Sequence, residues 1–166
     1  MIEYEGKPAR IGLNRDMNER KRYEERLKVL HMHATELASV ESVEEIAETT
    51  LNVIEAVFGF QWSDFNVIKD DRIIPLLIQD EALRSNMELS LDGPGIITRA
   101  YRTGESQLVH DTRLDDDYLI GRDEGSEEWL SELAVPVKIG DEVVAVINVE
   151  DKKLDAFTPD DQKLLE

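Results

Sequence analysis

The sequence predicts an α+β fold: one antiparallel β-sheet with N- and C-terminal helices packed on one face and a short helix plus loops covering the other. Three observations carry this. Helical and strand patterns follow one another as helix, helix, two strands, short helix, strand, long loop, hairpin, helix. The stretch "SELAVPVKIGDEVVAVINVED" (131–151) holds two strands around a tight Gly140-Asp141 turn, the strongest hairpin signal in the chain. The helices, finally, carry chemical stops and starts at their ends.

From Arg20 to Leu37 the apolar or small residues Tyr23, Leu27, Leu30, Ala34 and Leu37 recur at spacings of 4, 3, 4 and 3, the rhythm of a helix seeking a partner helix. Charged residues fill most of the remaining positions, so the stripe is too narrow for a wide core face, and these five side chains are the candidate dimer interface. Packing of the same stripe on the adjacent domain is the competing reading.

A second helix starts at Ser42, an N-cap with Glu45 three residues on as a capping box, and ends at Phe58 ahead of Gly59. Its Ile46, Thr50, Ile54, Val57 and Phe58 form one wide core-facing side. "QWSDFNVIK" (61–69) and "RIIPLLIQ" (72–79) read as a hairpin turned at Asp70-Asp71, with Pro75 marking a sheet edge or a bulge. "GPGIITRAYRTGES" (93–106) is a short helix with Pro and Gly at its start and Gly104 at its exit. The strand "SQLVHD" and an acidic loop over 112–128 follow. Thr158 as N-cap and Pro159 as first residue open the last helix. A sheet face roofed by a short helix and a loop is where a small-molecule cavity would form.

Composition narrows the function. The 166 residues suffice for one compact domain plus a helical appendage. With 37 acidic against 19 basic side chains the net charge is −18, a field that repels nucleic-acid phosphates and anionic lipid, so neither is an expected partner. Arginine (11) outnumbers lysine (8), which together with the acid excess suits a salt-loving source. No cysteine is present, which removes disulfides, thiolate metal sites, thiol nucleophiles and thioether-linked chromophores. The longest apolar run, "IIPLLI" (73–78), falls far short of the roughly 20 residues of a membrane helix. Acidic residues rather than a signal peptide follow Met1, and a cytoplasmic location is expected.

Residues from about 40 to 166 resemble a GAF domain, the small-molecule sensory module, through "SELAVPVKIGDEVVAVINVEDKKLDAFTPDDQKLLE", "GIITRAYRTGESQLVHD" and "DTRLDDDY". The stretch "YEGKPARIGLNRDMNERKRYEERL" resembles the final strand and exit helix of a PAS domain, with Asp16-Met17-Asn18 where that family carries Asp-Ile-Thr. These resemblances imply three segments: 1–19 as the remnant of a PAS domain, 20–38 as a linker or signalling helix, and 39–166 as a GAF domain. The parent would be a histidine kinase or a haloarchaeal regulator resembling the bacterio-opsin activator. One PAS strand alone has no sheet to join, so Met1 to Arg15 are expected to be mobile or to borrow a partner. Free methionine sulfoxide reductases share the GAF fold but work through cysteine, and bilin-binding members need Cys or a His and Asp set that does not occur here. The resemblance therefore implies a regulatory module without catalysis, sensing a small molecule and forming a homodimer; a ligand-free dimerisation scaffold is the alternative.

The candidate cavity residues are Trp62, Asp64, Asn66, Ile78, His110, Asp111, Tyr118 and Trp129, drawn from the first two strands, the strand end and the covering loop. Other patterns are weaker. His31 and His33 point about 200° apart on a helix, so they cannot chelate one ion, and both read as solvated. His110-Asp111 lacks the further ligands of a metal phosphohydrolase, and Asp115, Asp116 and Asp117 lack the glycine-bearing alternation of a calcium loop. Asn148, Phe157 and Asp161 match part of the Asn-Lys-Phe-Asp-Glu signature of cyclic-nucleotide-binding GAF domains, but Val149 and Gln162 replace its charged pair. Turn and helix-cap roles account for the three that remain. Arg99 or Arg102 could offset the negative field for an anionic ligand. The sequence identifies no metal and no cofactor.

Overall fold

The computed structural model describes residues 3–4, 7–8, 10–37, 40, 42–60, 62–78, 88–119 and 129–166, with side-chain surroundings from Arg20 onward, Arg22 and Glu36 excepted. Glu3–Tyr4 (β1) and Lys7–Pro8 (β2) pair antiparallel with each other. Helix α1 then spans Arg10–Leu37, starting well before Arg20. The described strand residues of the expected PAS remnant thus pair with each other, and from Arg10 the chain is helical. Arg15, Met17 and Glu19 are good helix formers and no proline occurs between Arg10 and Leu37, while Gly12, Asn14, Asp16 and Asn18 weaken the first turns.

Helix α2 (Val43–Phe58) starts and stops as its sequence predicts. The Ser42 hydroxyl accepts the Glu45 N–H, and Gly59 at φ 75° closes the helix with its N–H on the Glu55 carbonyl. Its deepest residues are Ala47, Leu51, Ile54 and Phe58, whereas Ile46, Thr50 and Val57 are only half-buried. The core-facing side is therefore rotated by about one residue from the predicted one in its first half, with Ala47 and Leu51 in the core where Ile46 and Thr50 were expected.

The sheet has six strands, β3 (Ser63–Lys69), β4 (Arg72–Ile78), β5 (Leu89–Ser90), β6 (Gln107–Val109), β7 (Ser131–Ile139) and β8 (Glu142–Asp151), in the order β5-β4-β3-β8-β7-β6 with every neighbour antiparallel. Both predicted hairpins form. Asp70 and Asp71 adopt φ of 50° and 59°, the left-handed pair that turns a two-residue hairpin in the sense of the sheet twist. Phe65 lies opposite Leu77 but Asn66 opposite Pro75, so Leu76 is the extra residue of a bulge beside the proline.

Alternation along the strands sends successive side chains to opposite faces. Phe65, Leu133, Val135, Ala145, Ile147 and Val149 face α2 and, with Leu51, Ile54 and Phe157, form the larger apolar core. The opposite face meets α3 (Ile96–Thr103), whose Ile96 and Ala100 pack with Val109, Ala134 and Val146, partly covered by Tyr118. Helix α4 (Pro159–Leu165) closes the first core, opened by a reciprocal capping box between Thr158 and Asp161.

Helix α1 lies against α2. Of the predicted seam, Tyr23, Leu30 and Leu37 are half-buried, while Leu27, 51% exposed, and Ala34 face outward. Arg26 and His33 complete the inward stripe instead. Arg26 pairs with Asp161 at 2.9 Å and sets its guanidinium 5.0 Å over the Phe58 ring. His33 is buried with Nε2 3.4 Å from the Thr50 hydroxyl, so the expectation that it is solvated is corrected; His31 is exposed. No helix among the described residues is long and apolar enough to cross a membrane.

Candidate functional site

On the α3 side of the sheet, polar side chains replace apolar ones along two straight rows. In the first, register places Ile78, Asp64, Asn148, Ala134 and Gln107 side by side across β4, β3, β8, β7 and β6. In the second, Glu150 lies opposite Glu132 and Glu132 opposite Val109, while the Glu150 N–H donates to the carbonyl of Trp62. Asn66, next to Asp64 on the same face, lies opposite Val146.

Hydrogen bonds lock these groups together. Asn66 Nδ2 donates to Asp64 Oδ2 and, at 3.3 Å, to the Val146 carbonyl; Asn148 Nδ2 donates to Asp64 Oδ1 at 3.2 Å. The Asn148 amide is thereby oriented, and its Oδ1 is buried without a hydrogen-bond partner among the described residues. Glu132, 4% exposed, stands beside it on the next strand. Burial pushes the Glu132 carboxyl well above the ordinary carboxylate range, and the charges of Glu150, Asp64 and Asp115 push it further, against a smaller opposing pull from Arg99.

Arg99 of α3 organises the roof. Its NH2 and NH1 bind Asp115 at 2.7 and 2.9 Å, NH1 also binds Asp117 at 3.0 Å, and Nε donates to Gln107 at 2.8 Å. Hydrogen bonding from Arg99 holds the Asp115 carboxyl below its usual range, and Asp115 raises Arg99 in turn. The expectation of a merely solvated acidic loop is corrected for Asp115 and Asp117, and Asp116 alone of the three is exposed. Arg99 is likewise committed to these partners rather than held ready for an anion.

At the open end of the rows Trp62 and Trp129 meet edge to face with centroids 4.5 Å apart, and Lys152 Nζ lies 5.4 Å from each ring. Trp129 is held by its carbonyl, which accepts from the buried Thr112 hydroxyl.

Of the eight predicted cavity residues, Trp62, Asp64, Asn66 and Ile78 share this face, with Trp129 against Trp62 and Tyr118 in the roof. His110 and Asp111 do not join them. The His110 ring meets Asp155 at 3.1 Å on an exposed strand end. Asp111 caps the short 3₁₀ turn Thr112–Leu114 and chelates Arg113, whose hydrogen bonds hold its carboxyl low. β6 stops at Val109, so both residues lie beyond the sheet. Residues 120–128 of the predicted covering loop lie outside the described residues. Glu132, Glu150 and Asn148 were missed as site residues. With Leu133, Val135 and Val137 on the core side of "SELAVPV", alternation sends Glu132 to the other face, and Asn148 follows from the same count on β8 rather than from a turn or cap. Asp161 does cap α4 and Phe157 is buried core. Among the described residues no group of three or more His, Cys, Asp and Glu could hold a metal ion.

An antiparallel sheet with one apolar face and one roofed, polar face defines an α+β sandwich of a known kind. The profile of the GAF domain family matches residues 40–166, and the chain belongs to that family. Solved structures agree on the fold. The GAF domain of a phosphoenolpyruvate-protein phosphotransferase from Coxiella burnetii is similar at 16% identity and a TM-score of 0.75, covering 86% of each chain. Free methionine-R-sulfoxide reductase from Neisseria meningitidis, in complex with its substrate, is similar at 20% identity and a TM-score of 0.72, covering 86% of this chain and 83% of that one. The reduced reductase of Staphylococcus aureus follows at 18% identity and a TM-score of 0.70, covering 87% and 88%. A comparison with curated proteins finds no match. The reductases correct one expectation, that this module is without catalysis: enzymes stand among the structures sharing its fold, so that exclusion is withdrawn. The sequence still contains no thiol.

Proposed function

We propose that this chain is a sensory GAF module of a multidomain signal-transduction protein, with the roofed polar face as its small-molecule site. One observation supports this above the others: Asn66, Glu132 and Asn148 are buried on the face opposite the apolar core. Burying such groups costs stability unless something recovers it. A domain that had only to fold would place apolar residues there. Sensing further requires that two arrangements of the domain differ in ligand affinity, and helix α1, tied to α4 by Arg26, is the element proposed to carry the difference outward. A thermal-shift screen with nucleotides, amino acids and haem tests the reading. A ligand at a hundred times its dissociation constant adds about 2.7 kcal/mol, and a flat screen would return the chain to scaffold status.

Self-pairing is the second reading, favoured by Leu27, Val29 and Met32 exposed on α1 and Val43 on α2. A homodimer along α1 is compatible with sensing and is tested by sedimentation at two salt concentrations. The resemblance of "YEGKPARIGLNRDMNERKRYEERL" to a PAS terminus supports a cytoplasmic histidine kinase or archaeal regulator as the parent. The translated parent gene decides this. The net charge of −18 supports a salt-loving source; equal stability in molar KCl and in dilute buffer would count against it.

A further inference from the structure

On the polar face the side-chain donors of Asn66, Asn148 and Arg99 are engaged, whereas one buried acceptor is not. Asn66 Nδ2 is used on Asp64 and the Val146 carbonyl, Asn148 Nδ2 points at Asp64, and the Arg99 guanidinium is held by Asp115, Asp117 and Gln107. Among the described residues this leaves the buried Asn148 Oδ1 without a partner and, one strand over, the Glu132 carboxyl with Glu150 directly opposite it. A site built this way rejects carboxylates and phosphates and calls for N–H donors on a positive charge. The aromatic wall agrees, since Trp62 and Trp129 already hold the Lys152 ammonium 5.4 Å from both rings.

Resting on the sensing role proposed above, we infer that the ligand of this face is a small organic ammonium ion whose N–H groups meet Asn148 Oδ1 and the carboxyl oxygens of Glu132 beside the Trp62–Trp129 pair. Both tryptophans of the chain stand at the site, so their fluorescence reports its occupancy. The experiment titrates the 166-residue chain at constant ionic strength with butylammonium, tetramethylammonium, butanol and butyrate, following fluorescence and melting temperature together. Butylammonium is expected to change the emission saturably and to raise the melting temperature by about 5 °C near saturation, with the other three at least tenfold weaker. Glu132→Gln and Asn148→Leu are each expected to weaken butylammonium at least tenfold while Glu132→Gln melts no lower than the parent, which separates lost binding from lost folding.

Equal response to tetramethylammonium would overturn the need for N–H donors, and equal response to butyrate the need for positive charge. Full binding by both variants would overturn the site. Silence towards butylammonium, with saturable binding of a nucleotide or haem, would sink the ammonium class and leave sensing intact. Silence towards all of them would end both.

Discussion

The two faces of the sheet are built from the same strands, one residue out of phase, and they obey different rules. On β7, Leu133 and Val135 enter a core closed by Leu51, Ile54 and Phe157, while Glu132 between Ser131 and Leu133 turns the other way to join Asp64 and Asn148. The first face is apolar and closed by α2 and α4. The second holds amides and carboxyls, and is roofed by a helix whose Arg99 is bound to the loop above it. The larger apolar cluster lies on one face, and the other sets buried polar groups beside the smaller cluster of Ile96, Ala100, Val109, Ala134 and Val146.

The largest test of that division is Phe157→Ala. Phe157 is 2% exposed and packs edge to face on Phe60 at 4.9 Å, so the loss is expected to be about 3–5 kcal/mol by urea unfolding. A loss under 1 kcal/mol would break the claim that this face carries the fold. Next comes Arg99→Met, which leaves Asp115 and Asp117 facing each other and Glu132 without their counter-charge. A loss of about 2–3 kcal/mol is expected, with faster amide exchange over residues 112–119 and unchanged exchange in α2.

Glu132→Gln should move stability the other way. The folded carboxyl holds its proton to a higher pH than the unfolded one, so above about pH 4.3 the unfolded chain binds fewer protons and wild-type stability falls as pH rises towards the folded value. The variant lacks this slope. Its advantage is expected to be near zero at pH 4, to widen with pH, and to reach about 1–3 kcal/mol at neutrality. A gap that does not change with pH would show that Glu132 is ionised in the fold. The smallest effect on stability belongs to Leu27→Arg, within about 0.5 kcal/mol, since Leu27 is 51% exposed. If the chain self-associates along α1, the same change should weaken that association about tenfold by sedimentation.

Local chemistry made most of the fold legible. Ser42, Gly59, Thr158 with Pro159, and the Asp70-Asp71 and Gly140-Asp141 turns each act within four residues, and each does what its neighbours allow. The polar face was legible by half. Asp64 and Asn66 follow from alternation on β3, and the same counting would have reached Glu132 and Asn148. His110 and Asp111, read as a strand end lining the cavity, instead pair with Asp155 and Arg113 where β6 has stopped. The inward side of α1 was misread for a different reason. Arg26 and His33 occupy core-facing positions that an apolar stripe passes over, and their fit comes from an ion pair, a ring contact and a hydrogen bond made by residues far off in sequence.

Asp161 divides its two oxygens, Oδ1 taking Arg26 of α1 and Oδ2 the Thr158 hydroxyl and N–H at the start of α4. A slip of α1 by one turn, about 5.4 Å, would pull Arg26 off this carboxylate and tug on the side chain that fastens α4. One carboxylate thus serves both helices, and such a slip would take the counter-charge from the residue that caps α4.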